Sequence, residues 1–382
     1  MIRVLLAAAL SLIVIPALTP SGAQTLQTEA SHAVILDHET GQVLFSKNGA
    51  ELMIPASMTK MMTAHVVFDR IKRGELSLED TFTVSERAWR EGGWASGGST
   101  MGLAIGDQPT VKELLKGVIV LSGNDACIVL AEGLSGSEEA FADEMTRVAR
   151  DMGLESATFR NSTGLDAPDH RISAIDLARL ASAQIREFPS FYEYYAIPEY
   201  EWRGISQPNR NPLLGRVDGV DGLKTGHLEV SGYSLTASAE RDGVRRIVVV
   251  NGLADMQARA RESERLMRMA FSSFGIVEVT PDGTDLPALP VRLGARPDVP
   301  VRLADTGRIA GLKRALETGS AELVYQGPLE APLAEGDRVA TLELRVDGAD
   351  PVSVPVVAAE PVAALGFRGR VLEGLRRLIE GA

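Results

Sequence analysis

The feature that most restricts the fold is an apolar segment that carries a serine and a lysine three residues apart. It reads IPASMTKMMTA over residues 54–64. Pro55 ends an extended stretch, and residues 58–68 then read as a helix that is apolar on more than one face. A helix that is apolar nearly all round is usually buried. The segment therefore predicts a buried helix with Ser57 at its N-terminal end and Lys60 on the same face.

The two side chains suit a serine nucleophile whose base is a lysine. The hydroxyl of Ser57 is a weak nucleophile until a neighbouring group removes its proton. Lys60 accepts that proton only when its amine is neutral, which requires burial or a second nearby cation. The N-terminus of the helix would also stabilise a developing oxyanion. By itself, the pair occurs by chance in many proteins, more often as a helix-capping serine followed by a solvated lysine than as a catalytic pair.

Length and composition exclude several classes of protein. The chain has 382 residues, enough for two or three domains, and a formal net charge of −12. The acidic balance, without a basic run interleaved with aromatic residues, argues against nucleic-acid binding. The single cysteine, Cys127, cannot form an intramolecular disulfide. The glycine-rich segment at 91–99 lacks a helix-opening phosphate-binding pattern, and we expect neither a metal nor a cofactor.

The first 23 residues have the pattern of a secretory signal peptide. Arg3 gives a positive start, residues 4–18 are apolar apart from Ser11 and interrupted by Pro16, and residues 21–23 are small. Such a segment is short for a membrane span, although an uncleaved anchor remains the alternative. We therefore predict residues 1–23 as a signal peptide and export across the cytoplasmic membrane.

Residues 24–275 are predicted to form one domain around a sheet. A hairpin at 33–37 and 42–45 precedes the Ser57 helix, and two strands at 232–239 and 246–251 precede a helix at 256–274. This order would return the chain to the sheet of the first hairpin. Further helices are predicted at 110–119, 124–133, 137–152 and 174–187, and a strand at 200–203, while residues 74–109 show little helical periodicity.

The composition changes after Gly275. Residues 276–361 carry short alternating apolar runs, at 321–325, 338–344 and 352–357, between turn-forming residues. This pattern predicts a small all-β domain. Residues 362–382 are amphipathic, with an apolar stripe beside four arginines, which suits a helix lying on an anionic membrane surface through residues 365–382. A terminal helix packed on its own domain is the alternative.

Two further motifs follow the first in the chain. Ser122-Gly123-Asn124 precedes a predicted helix, where either polar side chain could point into a cleft or simply cap the helix. Asp221-Gly222-Leu223-Lys224-Thr225-Gly226-His227 precedes the two late strands. On a sheet strand, it would place an ammonium and a hydroxyl at the rim of a cleft, with a glycine that lets the backbone of a substrate approach the strand. A turn with a solvated lysine is the alternative.

Ser-x-x-Lys, Ser-x-Asn and Lys-Thr-Gly, in this order and with domain-sized spacing, form a specific set. The chain resembles the low-molecular-weight penicillin-binding proteins that are serine D-Ala-D-Ala carboxypeptidases. The resemblance includes residues 55–63, 106–108, 122–127, 207–214 and 221–227 and covers the mature chain. It implies a mixed α/β, transpeptidase/β-lactamase-like domain, with an antiparallel sheet flanked by helices, then a small all-β domain and the amphipathic tail.

The resemblance also implies catalytic roles. Ser57 would be the acyl-ester nucleophile, and Lys60, kept neutral with the help of the nearby Lys224, would be its base. Ser122 would pass a proton to the leaving nitrogen, and Asn124 would hold the substrate amide. The implied substrate-binding groups lie on or after the third motif: Lys224, Thr225, Gly226, His227 and Arg259. Lys224 and Thr225 would meet the terminal carboxylate, with Arg259 assisting by charge, and the backbone N–H groups of Ser57 and His227 would form the oxyanion hole.

By the same resemblance, the substrates are peptidoglycan stem peptides, and β-lactams are inhibitors. The protein would act at the outer face of the inner membrane, in the periplasm. Residues 155–175 contain Glu155 but no E-x-x-L-N-like pattern, so we expect slow release of an acylating β-lactam. A DD-endopeptidase, a β-lactamase and a non-enzymatic penicillin-binding sensor remain the alternatives, and the retention of Ser57, Lys60 and Lys224 argues against the sensor.

Overall fold

A computed structural model describes residues 2–6 and 27–372. The helices, in chain order, are α1 (Lys60–Lys72), α2 (Glu86–Gly92), α3 (Val111–Ile119), α4 (Asn124–Ser135), α5 (Glu138–Asp151), α6 (Ala174–Glu187), α7 (Pro189–Tyr192), α8 (Met256–Ser272) and α9 (Lys313–Leu316). The strands are β1 (Ile2–Leu6), β2 (His32–Asp37), β3 (Val43–Lys47), β4 (Leu52–Met53), β5 (Ile172–Ser173), β6 (Glu199–Trp202), β7 (Ile205–Pro208), β8 (Val220–Leu228), β9 (Gly232–Arg241), β10 (Val244–Leu253), β11 (Phe274–Val279), β12 (Leu289–Arg292), β13 (Asp298–Val299), β14 (Val301–Leu303), β15 (Gly307–Leu312), β16 (Ser320–Tyr325), β17 (Leu329–Glu330), β18 (Arg338–Arg345) and β19 (Val352–Ala358).

The chain forms two compact units. Of the described residues, 27–272 form one unit, and 273–372 together with 2–6 form the other. The first unit is mixed α/β and the second is built mainly of strands, so the predicted fold class is confirmed.

The first unit contains a five-stranded antiparallel sheet in the order β3-β2-β10-β9-β8. The late strand β10 pairs with β2, and Val249 lies opposite Val34. The predicted return of the chain to its first hairpin is therefore confirmed. Helices α6 and α8 both contact β10, in which nearly every residue is buried. A strand buried on both faces needs such cover and reads as a continuous apolar run, as residues 247–250 do.

Helix α1 is buried over its first nine residues, from Lys60 to Phe68. Its start differs from the sequence prediction, because the α-helix begins at Lys60 rather than near Met58. Ser57 lies in a preceding 3-10 turn, Ala56–Thr59, in which Ala56 has a positive φ of 48°. Short 3-10 turns are common at helix ends. The turn keeps Ser57 and Lys60 on one side of the segment.

Two short elements lie between the main helices and strands of the first unit. Residues 74–109 contain a short helix, α2, whose N-cap Ser85 accepts a hydrogen bond from the backbone of Ala88. With seven residues, the helix is too short to leave a clear periodicity in the sequence. The strand predicted at 200–203 is present as β6, which pairs with β7 in a two-stranded hairpin.

The second unit has its own core. A five-stranded sheet in the order β1-β16-β18-β19-β14 buries Leu303, Leu323 and Val356, in agreement with the predicted all-β domain. Within this unit, the backbone of residues 2–6 pairs antiparallel with residues 321–325. The remainder of the predicted signal peptide lies outside the described residues, so that assignment stays a prediction.

The predicted amphipathic tail is described only in part. Residues 367–372 are helical, with Phe367 and Leu372 largely exposed, and residues 373–382 lie outside the described part of the chain. No helix among the described residues has the length and apolarity needed to cross a membrane.

Candidate active site

The three motifs meet in one cleft of the first unit. Its volume is about 670 Å³, and its lining includes Ser57, Ser122, Asn124, Thr225, His227 and Arg259. Ser57 comes from the turn before α1, Ser122 and Asn124 come from the start of α4, and the other residues come from β8 and α8. Lys60 and Lys224 are almost completely buried beside the cleft. Residues far apart in sequence thus come together at one edge of the sheet.

The amine of Lys60 has three oxygen neighbours. Its Nζ atom lies 2.9 Å from Ser57 Oγ, 2.8 Å from Asn124 Oδ1 and 2.6 Å from the backbone oxygen of Thr163. The amide and backbone oxygens only accept hydrogen bonds, whereas a hydroxyl also donates. A neutral amine has two N–H groups for those two oxygens, which leaves its lone pair for the Ser57 hydroxyl. The arrangement therefore suits Lys60 as the proton acceptor of Ser57.

The electrostatics of the two lysines favour a neutral amine. Burial lowers the pKa of Lys60, against the opposing influence of Cys127, Glu138 and Asp125. Burial, followed by the charge of Lys60, lowers the pKa of Lys224 well below its ordinary value. Two buried ammonium groups repel each other, and neither is matched by a carboxylate in contact with it. A proton on one lysine therefore disfavours a proton on the other.

Ser122 has a strained backbone that turns its side chain toward Lys224. Its φ is 61°, and its hydroxyl accepts a hydrogen bond from Lys224 Nζ at 2.8 Å. The N-cap of α4 is Gly123, without a side-chain hydrogen bond, so the capping alternative for Ser122 and Asn124 is wrong. A non-glycine residue in this conformation is uncommon and costs about 1–3 kcal/mol. The surrounding fold maintains this strain at the cleft.

Asp125 organises the glycine-rich wall of the cleft, which sequence reasoning did not identify. Its buried carboxylate accepts hydrogen bonds from Thr100 Oγ1 and from the backbone N–H groups of Met101, Gly102 and Leu103. The loop that precedes these residues supplies Gly97, Gly98 and Ser99 to the cleft lining. The carboxylate thus anchors the loop to the start of α4. In the sequence, the only sign of this role was the position of Asp125 directly after the Ser-x-Asn motif.

Strand β8 brings the third motif against the Ser57 turn. A Cβ atom added to Gly226 would lie 2.8 Å from the backbone oxygen of Pro55. Gly226 therefore allows the protein's own backbone to approach, in addition to the predicted approach of substrate. His227, the next residue, stacks on Tyr233 with ring centroids 3.9 Å apart. Both His227 and Ser57 line the cleft.

Arg259 lies at the cleft, whereas its neighbour Arg261 lines a different groove with Gln27 and Glu262. Arg259 is 8% exposed, and its Nε atom is buried without a hydrogen-bond partner in the described part of the chain. The guanidinium lies 5.7 Å from the centre of the Tyr233 ring. Burial lowers the pKa of Arg259. A buried guanidinium without a carboxylate partner beside a cleft is suited to an anionic ligand.

The segment Asn161–Gly164 forms the floor beside Lys60. Thr163 supplies the carbonyl that Lys60 contacts, and Gly164, with a φ of 82°, packs so closely on Ala56 that a Cβ atom would collide with the Ala56 backbone oxygen. The sequence analysis assigned this segment no part in the site. Its contribution comes from backbone atoms, which residue types do not reveal.

Among the described residues, no cluster of His, Cys, Asp or Glu side chains could hold a metal ion.

Cys127, one turn into α4, is fully buried, and burial raises the pKa of its thiol to about 12. A thiol with so high a pKa is not an activated nucleophile. Ser57 is therefore the nucleophile that the geometry favours.

Comparisons with known proteins agree with this geometry. A family model described as D-alanyl-D-alanine carboxypeptidase matches residues 19–254, and one described as the C-terminal domain of penicillin-binding protein 5 matches residues 274–364. The chain is 38% identical over 342 residues to the D-alanyl-D-alanine carboxypeptidase DacC of Escherichia coli (strain K12), covering 88% of this chain and 85% of that protein.

Solved structures give the same result. Penicillin binding protein 5 from Haemophilus influenzae is 33% identical with a TM-score of 0.78, covering 90% of this chain and all of that one (100%). The ampicillin-bound form of penicillin-binding protein D2 from Listeria monocytogenes is 28% identical with a TM-score of 0.57, covering 65% of this chain and 100% of that one. The chain therefore belongs to the D-alanyl-D-alanine carboxypeptidase family and is an enzyme of that class.

Proposed function

We propose that the enzyme removes the terminal D-Ala from peptidoglycan stem pentapeptides through an acyl ester on Ser57, and that β-lactams acylate the same serine. The observation that carries this proposal is the environment of the Lys60 amine. Two obligate acceptors, Asn124 Oδ1 and the Thr163 carbonyl, leave the lone pair of a neutral amine to the Ser57 hydroxyl.

In the acylation step, Ser57 Oγ attacks the carbonyl carbon of the penultimate D-Ala while Lys60 takes the hydroxyl proton. The new bond joins Oγ to carbon, and the bond from that carbon to the nitrogen of the terminal D-Ala breaks. Ser122, held by Lys224 at 2.8 Å, gives its hydroxyl proton to the departing nitrogen and takes up in exchange the proton that Lys60 received from Ser57. Water then hydrolyses the ester and restores Ser57. Asn124, which also contacts Lys60, holds the substrate amide.

The substrate carboxylate is assigned to the cationic end of the cleft. Lys224 and Thr225 would contact it, and Arg259 would add charge, since its Nε atom has no hydrogen-bond partner among the described residues. The backbone N–H groups of Ser57 and His227 would bind the oxyanion. The close packing of Gly226 on Pro55 supports this role because it sets the strand beside the serine.

We assign non-catalytic roles to the second unit and to the tail. We propose a catalytic domain at 24–275, a β domain at 276–361 and an amphipathic helix at 362–382. The compact units and the two matched regions, 19–254 and 274–364, support the division near residue 275. Export through residues 1–23 and peripheral attachment through residues 365–382 would place the enzyme at the outer face of the inner membrane.

The experiment that tests the proposal compares three substrates with the purified enzyme: a stem pentapeptide, a cross-linked muropeptide and benzylpenicillin. We expect release of D-Ala from the pentapeptide as the fastest turnover, and slow loss of bound penicillin. Faster cleavage of the cross-linked substrate would instead identify an endopeptidase. Rapid turnover of benzylpenicillin would contradict the expected slow deacylation and would indicate a β-lactamase.

A further inference from the structure

Glu138, at the first position of α5, is a nearly buried carboxylate that the proposed mechanism does not use. It is 6% exposed, although glutamate at this position of a helix is ordinarily solvated. Both of its oxygen atoms are engaged. Oε1 accepts hydrogen bonds from the backbone N–H of Ser162 at 3.0 Å and from the Ser162 hydroxyl at 2.6 Å. Oε2 lies 3.1 Å from an Arg87 nitrogen.

The residue that Glu138 contacts is next to the one that holds Lys60. Ser162 is completely buried, and its carbonyl accepts a hydrogen bond of 2.6 Å from Thr63, one turn after Lys60 in α1. The following carbonyl, that of Thr163, lies 2.6 Å from Lys60 Nζ. Glu138 therefore fixes one side of a short segment whose other side is fixed by α1. The position of the Thr163 carbonyl depends on both anchors.

We propose that Glu138 is a positioning residue for catalysis, which holds the Ser162–Thr163 segment so that the Thr163 carbonyl keeps the Lys60 amine directed at Ser57. Arg87 neutralises the buried carboxylate and so allows it to take this place. Glu138 has no contact with the cleft, so it acts through Ser162 and Thr163 rather than on the substrate. The inference rests on the proposed function, because it concerns the base of that reaction.

The charge of Glu138 adds a second effect. Its carboxylate is one of the groups that oppose the lowering of the pKa of Lys60 by burial. The titratable groups that act on Lys60 or lie against it are Cys127, Asp125, Glu138 and Lys224, together with His170, whose own pKa Lys60 helps to lower. Removal of the charge at Glu138 would lower the pKa of Lys60 further, so the neutral amine would persist to lower pH.

The chain provides a matched control in the next residue. Glu139 also pairs with Arg87, at 2.8 Å, and lies in the same helical turn. Its side chain is 67% exposed, and no hydrogen bond joins it to Ser162. Variants at Glu139 therefore perturb the Arg87 network and the charge of α5 without releasing the segment that holds Lys60.

The test measures the first-order rate constant of acylation by benzylpenicillin, and kcat and KM for a D-Ala-D-Ala peptide, in the full-length enzyme. The acylation rate constant does not depend on the fraction of folded protein.

We expect Glu138→Ala to lower the acylation rate constant and kcat roughly 10- to 100-fold, with little change in KM. This is part of the rate enhancement that a general base usually supplies. Glu138→Gln keeps an acceptor for Ser162, so we expect activity near wild type, with the acidic limb of the pH–rate profile moved to lower pH. Glu139→Ala and Glu139→Gln should leave both quantities unchanged.

The outcomes separate this inference from the proposed function. A wild-type enzyme that forms no penicillin adduct would contradict the function itself. Normal acylation in wild type together with unchanged rate constants in Glu138→Ala would overturn the role of Glu138. An equal loss in Glu139→Ala would also overturn it, because the effect would then come from the Arg87 network. A loss in Glu138→Ala that Glu138→Gln does not restore would show that the acceptor for Ser162 is not what matters.

Discussion

The amine nitrogen of Lys224 lies 2.8 Å from the hydroxyl oxygen of Ser122, although 102 residues separate them in the chain. The contact joins the second motif to the third. It also orients a hydroxyl that an unusual backbone conformation, with a φ of 61°, directs into the cleft.

The Ser122 contact predicts a large loss of rate on substitution. Ser122→Ala removes the proposed proton relay, so we expect kcat to fall roughly 100- to 10,000-fold, the usual contribution of general acid–base catalysis. Ser99→Ala is the control, because Ser99 also lines the cleft but its side chain accepts no hydrogen bond from Lys60 or Lys224. Steady-state release of D-Ala measures both. A loss below threefold in Ser122→Ala would remove Ser122 from the mechanism.

The hydrogen bonds of Asp125 to the cleft wall predict that its substitution lowers the stability of the protein. Asp125→Ala leaves the buried N–H groups of Met101 and Leu103 without their acceptor, so we expect unfolding to become easier by more than about 3 kcal/mol. Thr100→Val removes one of the bonds and should cost about 1–2 kcal/mol. Urea unfolding measures the difference, and equal stabilities of the two variants would contradict the anchoring role.

Two glycines with similar φ angles allow the cost of backbone strain to be measured separately from the cost of a steric collision. Gly164 and Gly153 have φ values of 82° and 76°, but only at Gly164 would a Cβ atom meet the Ser57 turn. We expect Gly153→Ala to cost about 1–2 kcal/mol for its left-handed conformation alone. Gly164→Ala should cost about 1–3 kcal/mol more, because the added Cβ atom would force the Ser57 turn to move. It should also slow acylation. Thermal unfolding with a penicillin-binding assay tests both effects.

Buried histidines predict how stability depends on pH. His170 donates toward Thr59 through Nε2 when Nδ1 accepts from the backbone of Arg160, and burial lowers its pKa to about 4. Burial does the same for His65. Because the unfolded chain binds these protons near pH 6.5, stability is fully present above that pH and falls as the pH drops toward 4. The loss is about 3 kcal/mol for each histidine.

His170→Gln tests this relationship, because glutamine can accept and donate similar hydrogen bonds but does not titrate. We expect the variant to lose less stability than wild type between pH 7 and pH 4.5. The tryptophans Trp89, Trp94 and Trp202 all belong to the first unit, so their fluorescence reports its unfolding in urea. Identical pH dependences in the two proteins would show that His170 does not titrate as argued.

The sequence was a good guide to the elements and to the sheet that joins them. The mostly apolar segment 58–68 predicted a buried helix, and the late strands predicted a return to the first hairpin. Periodicity has a physical cause in the burial of one face or of all faces, so it survives in the sequence. The short helix α2 and the 3-10 turn at Ser57 lacked enough residues to produce such a pattern.

The supporting contacts of the site could not be predicted in the same way. Asp125 binds residues 100–103, and Glu138 binds Ser162 across 24 positions. Each acceptor meets backbone N–H groups, which every residue except proline carries, so no residue type marks the partner. The cleft is lined by side chains that the sequence motifs identify. Much of what supports them consists of backbone atoms, whose positions are set by the tertiary fold.

The most direct test of the central claim is the intact mass of the protein after brief incubation with benzylpenicillin, for wild type and Ser57→Ala, with D-Ala release from a D-Ala-D-Ala peptide followed in parallel. We predict an added penicilloyl mass and D-Ala release in wild type, and neither in Ser57→Ala. An adduct that persists in Ser57→Ala, or wild-type protein that gains no mass, would contradict the assignment of Ser57 as the acylated nucleophile.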